Sequence, residues 1–164
     1  MLRALDVGLL RLLRTRGHDP RAEAALLTLA RAGEHGLLWQ ALAGLGALLD
    51  RDRAPLYRRA MATVLAAMVA NTAVKYLVRR PRPQLDGLPP LASTISARSY
   101  PSAHAATSFA GARVLSGPLP APPLYALACA VALSRPYLGV HYPSDVAAGA
   151  LLGDALGRLA APAP

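Results

Sequence analysis

Two stretches of this chain, 36–49 and 60–74, carry no charge at all, and charged residues fence each of them. Asp50, Arg51, Asp52 and Arg53 close the first; Arg58, Arg59 and Lys75 bracket the second. Nowhere does the sequence alternate apolar and polar residues with the period of two that a half-buried strand needs. Helices packed on helices are what remains, so the chain is expected to be all-α. A further helix starts at Pro101-Ser102 and runs to about Leu115, and an apolar helical segment follows at 122–133. A last helix over 145–159 is built from small residues: Ala147, Ala148, Gly149, Ala150, Gly153, Ala155 and Gly157.

These runs are short against the roughly twenty residues that span a bilayer as a helix. Arginines at the ends can snorkel to the headgroups, which gives 56–78 enough length. Small residues along 145–159 permit the close backbone approach used between membrane helices. The reading adopted is about five transmembrane or near-spanning helices; a soluble helical bundle is the competing one. Met1–Arg16 places leucines at 2, 5, 9, 12 and 13 against arginines at 3, 11, 14 and 16. That pattern suits an amphipathic helix lying in the membrane interface, or a surface helix packed on the core. A second short helix is expected over 21–33. The chain is read as one domain, 1–164, with interfacial helices over 1–32 and a catalytic helical core over 33–160.

Composition narrows the partners. Charged residues make up 16% of the chain, where about 25% is usual for soluble domains, and mean hydropathy is +0.31. The net charge is +9, but the arginines flank apolar segments, as charges do at a bilayer surface. No base-stacking or groove-reading motif accompanies them, which argues against nucleic acid. Cys129 is the only cysteine, so an intrachain disulfide and a cysteine metal cage are excluded. It is expected as a small buried residue in the apolar run 124–133.

Three segments carry chemistry. The first holds Lys75, the only lysine in the chain, seven residues before Arg82-Pro83. Pro81 should end the helix, so that Arg82 leaves the loop above it and both cations can meet one anion. A cluster binding lipid headgroups is the alternative, and Arg79 and Arg80 fit it well. The second segment is Tyr100-Pro101-Ser102-Ala103-His104, at the start of a helix running to about Leu115. Free N–H groups there favour an anion, the Ser102 hydroxyl can cap or donate, and His104 falls in the first turn. The third runs from Ser134-Arg135 to His141 and Asp145 and reads as a tight loop, 134–144, before a helix begun by Pro143. Arg135 adds a forked donor. A carboxylate on one nitrogen of His141 would leave the other free as a nucleophile.

Together these segments resemble the type 2 phosphatidic acid phosphatase (PAP2) superfamily, which includes vanadium haloperoxidases. Its pattern is Lys-x6-Arg-Pro, then Pro-Ser-Gly-His, then Ser-Arg-x5-His-x3-Asp. Here it reads Lys75…Arg82-Pro83, Pro101-Ser102-Ala103-His104 and Ser134-Arg135…His141…Asp145. Ala103 departs from the usual glycine; it keeps the backbone N–H and adds a methyl near the substrate. The resemblance implies metal-independent and cofactor-free hydrolysis of a phosphate ester. His141 would attack phosphorus, Asp145 would hold its ring, and His104 would serve the leaving oxygen and then water. Lys75, Arg82, Ser102, Ala103 and Arg135 would hold the phosphoryl oxygens. His18 and His35 match nothing in the pattern. The implied partner is a membrane lipid phosphate, polyprenyl-linked or glycerophospholipid, at a bacterial plasma membrane, with the active-site face undetermined. A soluble-type acid phosphatase or vanadate-dependent haloperoxidase, and a non-catalytic phosphate-binding membrane protein, are the alternatives.

Overall fold

The computed structural model describes residues 2–16 and 18–160; Met1, Gly17 and 161–164, the ends of the expected 1–164 domain among them, lie outside the described residues. Seven α-helices and one short 3-10 turn make up the described fold, and no strand is among them. They are α1 (Leu2–Thr15), α2 (Pro20–Ala32), the 3-10 turn Glu34–Gly36, α3 (Leu37–Leu49), α4 (Ala54–Val78), α5 (Ala103–Leu115), α6 (Ala121–Tyr137) and α7 (Pro143–Ala160).

Local chemistry sets the helix ends. Asp19 caps α2 by accepting from the Arg21 N–H at 2.7 Å, and Pro20 opens the helix with its fixed φ. Ser102 caps α5 as its position before Ala103 suggested. Prolines also sit in the first turns of α4, α6 and α7, where the missing N–H costs nothing. Helix α4 stops at Val78 because Arg79 turns left-handed, with φ 54°.

Helix α5 is the axis of the bundle. Nine of its thirteen residues are buried, and it meets α3, α4, α6 and α7. Its small residues let neighbours come close. A glycine ridge on α7, Gly149, Gly153 and Gly157, lies against it at four-residue spacing. A Cβ built on Gly153 would run into the Ala106 carbonyl oxygen, and one on Gly157 would sit 2.6 Å from Arg113 Cβ. On another flank the fully buried Trp39 of α3 packs over Gly111 and donates its Nε1–H to Ser108 Oγ at 2.9 Å. Helix α4 faces the core with Ala54, Tyr57, Ala60, Val64, Ala67 and Asn71, a stripe with the helical period.

Two expectations are corrected. The stretch 134–144 is not all loop: α6 continues through Ser134, Arg135 and Pro136 to Tyr137. Pro136 falls in the last turn, where the chain closes with Leu138 and Gly139 N–H bonds to Ser134 and Pro136 carbonyls, so it does not break the helix. Cys129 is exposed, because the inward positions of α6 are Leu124, Ala128, Val131, Ala132 and Arg135, and Cys129 lies beside that stripe.

Helices α4 and α6 end, and α5 and α7 begin, at the same end of the bundle. Helix α1 packs across α6 and α7 there, and α2 lies against α6. The buried face of α1 is Asp6, Leu10 and Arg14, at four-residue spacing, while Leu5, Leu9 and Leu12 point outward. Arg14 donates to the Pro89 carbonyl, tying α1 to the 79–102 loop.

The glycine ridge generates a prediction. Gly153→Val should lower stability by more than the about 1–3 kcal/mol typical of overpacking, because the clash is with backbone. Gly44→Ala, with no atom within 4 Å of the new methyl, should raise it by about 0.5–1 kcal/mol. Thermal melts of the purified variants check both.

Candidate active site

The three motif segments meet around one cavity of about 310 Å³. Lys75 reaches it from the last turn of α4, Arg82 from the following loop, Ala103 and His104 from the first turn of α5, Arg135 from the end of α6, and His141 from the α6–α7 turn. Ser102 and Asp145 stand behind this lining with no solvent exposure. The Ser102 hydroxyl accepts from the Ala105 N–H at 3.5 Å, and its N–H donates to the Asp145 carbonyl at 2.9 Å, joining the starts of α5 and α7.

Two of the cations, Lys75 and Arg82, are positioned by backbone carbonyls rather than by acids. Lys75 Nζ donates to the Pro101 and Arg98 carbonyls at 2.9 and 3.3 Å. Arg82 donates to the carbonyls of Ser96 and Val140, both at 2.6 Å. Among the described residues none of Lys75, Arg82 and Arg135 forms a salt bridge. Arg135 is 5% exposed and its Nε has no partner. Three such cations around one cavity are held apart only by the scaffold, and an entering anion would relieve their repulsion.

Hydrogen bonds fix the histidine tautomers. Arg82 Nη1 lies 3.1 Å from His141 Nε2, and a guanidinium can only donate, so Nε2 carries a lone pair. The proton then sits on Nδ1, which faces Asp145 Oδ2 at 3.6 Å, a little beyond hydrogen-bonding distance. Catalytic hydrogen bonds are often long in unliganded sites and shorten around the reacting group. His104 has the opposite arrangement: Nε2 is 3.0 Å from the Ala30 carbonyl, which can only accept, so Nε2 bears the proton and Nδ1 the lone pair. Burial, and then the Arg82, Lys75 and Arg135 charges, push the His141 pKa down to about 3, against the pull of Asp145. His141 is therefore neutral across the physiological range.

The structure brings together what the motifs separated, and it adds residues they did not indicate. Arg80, expected at the headgroups, instead turns inward and donates through Nη1 to Asp145 Oδ1 at 2.8 Å and through Nη2 to Asp6 Oδ2 at 2.8 Å. The left-handed turn at Arg79 directs the chain that way; Arg79 itself is exposed. His35, which matched no motif, lines the cavity together with Glu34 and Thr107. Asn71, one turn before Lys75, also lines it, fully buried and with both amide atoms unpartnered. His18 lies away from the cavity, paired with Glu23 at 3.5 Å.

Comparison with known proteins follows the same segments. The family model described as the PAP2 superfamily matches residues 56–163. The decaprenylphosphoryl-5-phosphoribose phosphatase of Mycobacterium tuberculosis is 39% identical over 131 residues, covering 80% of this chain and 74% of that protein. Aquifex aeolicus LpxE superposes with a TM-score of 0.81 at 24% identity, covering 95% of this chain and 94% of LpxE. The transmembrane PAP2 type phosphatidylglycerolphosphate phosphatase of Bacillus subtilis gives 0.79 at 23% identity, over 96% and 83%. The all-helical bundle is thus shared with solved structures of this kind.

The three clustered cations, none of them in a salt bridge among the described residues, make an anion a stabilising ligand. Inorganic phosphate or orthovanadate should raise the melting temperature, by the equivalent of about 2.7 kcal/mol at a hundred times its Kd. Arg135→Gln should remove most of that gain in the same thermal-shift titration, and an unresponsive wild-type protein would count against an anion site.

Proposed function

The chain belongs to the PAP2 superfamily, and from that premise we propose that it is a lipid phosphate phosphatase working through a phosphohistidine on His141. The observation that carries this reading is His141, its Nε2 lone pair engaged by Arg82, in the lining of a cavity ringed by Lys75, Arg82 and Arg135. A nucleophile and a triple positive cradle suit a phosphoryl group, whose equatorial oxygens gather charge in the transition state.

The steps follow from the tautomers. His141 Nε2 attacks phosphorus; the P–N bond forms as the bond to the leaving oxygen breaks. His104, which takes up a proton on Nδ1 when the anionic substrate enters, gives that proton to the leaving oxygen. The imidazolium formed on His141 is met by Asp145, which keeps the Nδ1 proton in place. His104, now neutral, takes a proton from water, whose oxygen attacks phosphorus and breaks the P–N bond. Phosphate leaves, His141 regains its Nε2 lone pair, and His104 releases the Nδ1 proton to return to its neutral form. Lys75, Arg82, Arg135 and the Ala103 N–H hold the phosphoryl oxygens, and Ser102 supports them from behind by capping α5. The amides of a helix's first turn have no intrahelical acceptor, so alanine serves there as glycine does.

The substrate is proposed to be lipid-borne and the protein integral to the membrane. Helix α4 is long and apolar enough to cross a bilayer, and only 22% of its apolar window is buried inside the protein, unlike the core helix of a soluble bundle. Leu45, Leu48, Leu49, Leu65, Val69, Leu133, Leu151 and Leu159 extend the exposed apolar surface over α3, α4, α6 and α7. Helices α6 and α7, at 17 and 18 residues, are each about 26 Å long and close to spanning length. Helix α5 is walled by its neighbours and needs no lipid-facing side of its own. The curated relative favours a polyprenyl-linked phosphosugar among the lipid phosphates, as its name states its own substrate.

Detergent-purified protein should release phosphate from a lipid phosphate panel with EDTA present. His141→Ala and His104→Ala should each lose at least about 100-fold in kcat, and undiminished turnover by His141→Ala would rule out the phosphohistidine. The pH dependence has a defined sign. The folded state binds the His141 proton more weakly than the unfolded chain, whose histidine has its ordinary pKa near 6.5. This contribution to stability is therefore complete above about 6.5 and is lost as pH falls towards 3, which pH-dependent melts of wild type and His141→Ala would reveal as a difference confined to the acid side.

A further inference from the structure

We propose that Asp6 and Arg80 are positioning residues for the phosphoryl-transfer centre, and that helix α1 sets the catalytic geometry through them. This rests on the phosphatase reading above. Asp6 lies outside the matched family region, which begins at residue 56.

Asp145 has no solvent contact, and its two oxygens are held from different sides. Oδ2 accepts the Tyr142 N–H at 2.9 Å and faces His141 Nδ1 at 3.6 Å. Oδ1 accepts from Arg80 Nη1 at 2.8 Å. The rotation of the carboxylate, and with it the aim of Oδ2 at the imidazole, thus depends on where the Arg80 guanidinium stands. That guanidinium is pinned three times over. Nη2 donates to Asp6 Oδ2 at 2.8 Å, Nη1 also reaches Ser144 Oγ at 2.7 Å, and the plane lies 4.0 Å from the centre of the Tyr142 ring.

Asp6 in turn is fixed to the start of α7, accepting from the Ser144 N–H at 2.9 Å and its hydroxyl at 2.6 Å. Burial works to raise the Asp6 pKa, but the Arg80 and Ser144 hydrogen bonds outweigh it and hold the carboxyl below its ordinary value. One cation therefore bridges two buried carboxylates, one from α1 and one beneath the nucleophile. Neither carboxylate lines the substrate cavity, and neither does Arg80. Their effect must reach the substrate through His141. Around His141 the other charged groups are Arg82, Lys75 and Arg135, all on the substrate side.

The test separates positioning from mere support of the fold. Arg80→Lys keeps the charge but cannot fork to two carboxylates. Asp6→Asn keeps an oxygen for the Ser144 N–H and removes the charge. In detergent micelles with a lipid phosphate, each should lower kcat about 10–100-fold, the usual range for groups that orient a catalytic ligand. KM should stay within about 2-fold, and the double variant should be no worse than the poorer single one, since the residues act as one chain. The His141 titration, read by NMR of 15N-histidine protein, should move to lower pH in Arg80→Lys, because Asp145 Oδ2 loses its aim at the imidazole and its pull on the His141 proton weakens. Loss only in proportion to the folded fraction, a rise in KM at constant kcat, or an unmoved His141 titration would overturn the proposal. If wild-type protein hydrolyses no lipid phosphate, the phosphatase reading fails, and the histidine titration alone then decides the positioning.

Discussion

A carboxylate without solvent contact needs a donor on each oxygen and a cation beside it, and Asp145 is the point where this protein meets that condition. Its side chain takes the Tyr142 N–H and the Arg80 guanidinium, and its carbonyl takes the Ser102 N–H. The starts of α5 and α7, the loop after α4 and helix α1 are all tied to this one residue or its partners. Beneath it the glycine ridge of α7 brings the backbones of α7 and α5 close enough for the Ser102 bond to form. The cavity above keeps its three cations in place because the frame that carries them is fixed from below.

Much of this could be read from the chain, for reasons that differ by element. Lys75, Arg82, His104, Arg135 and His141 sit at helix ends, and helix ends announce themselves through proline, serine and charge at short range. The all-α fold followed from uncharged runs with helical rather than alternating order. What stayed hidden depends on contacts between distant segments. Asp6 and Ser144 are 138 positions apart, and His104 and Ala30 are 74 apart. Nothing in the neighbourhood of Arg80 told it from Arg79, because the left-handed turn between α4 and the loop decides which of them faces inward. Ser102 could be read as a cap, but its full burial behind the lining depends on where α7 packs. The loop expected from residue 134 begins only after Tyr137, since Pro136 sits without harm in the last turn of α6.

The N-terminal helices change standing most. By sequence they were an amphipathic appendage to a catalytic core over 33–160. In the fold, α1 steadies Arg80 and the 79–102 loop, and α2 supplies the Ala30 carbonyl that sets the His104 tautomer. The outward leucines of α1 and its inward Asp6 and Arg14 make one helix answerable both to its surroundings and to the site.

The link between Asp6 and Ser144 also bears on how the protein comes into being. Synthesis runs from the N-terminus, so α1 emerges long before α7 can offer Ser144 and Asp145. Contacts of such sequence separation form late, after the loops between them have closed. Until then Arg80 has no second carboxylate to bridge, and His141 has no partner for its Nδ1 proton. A half-made chain would thus be inert, and activity would be switched on by the docking of α7.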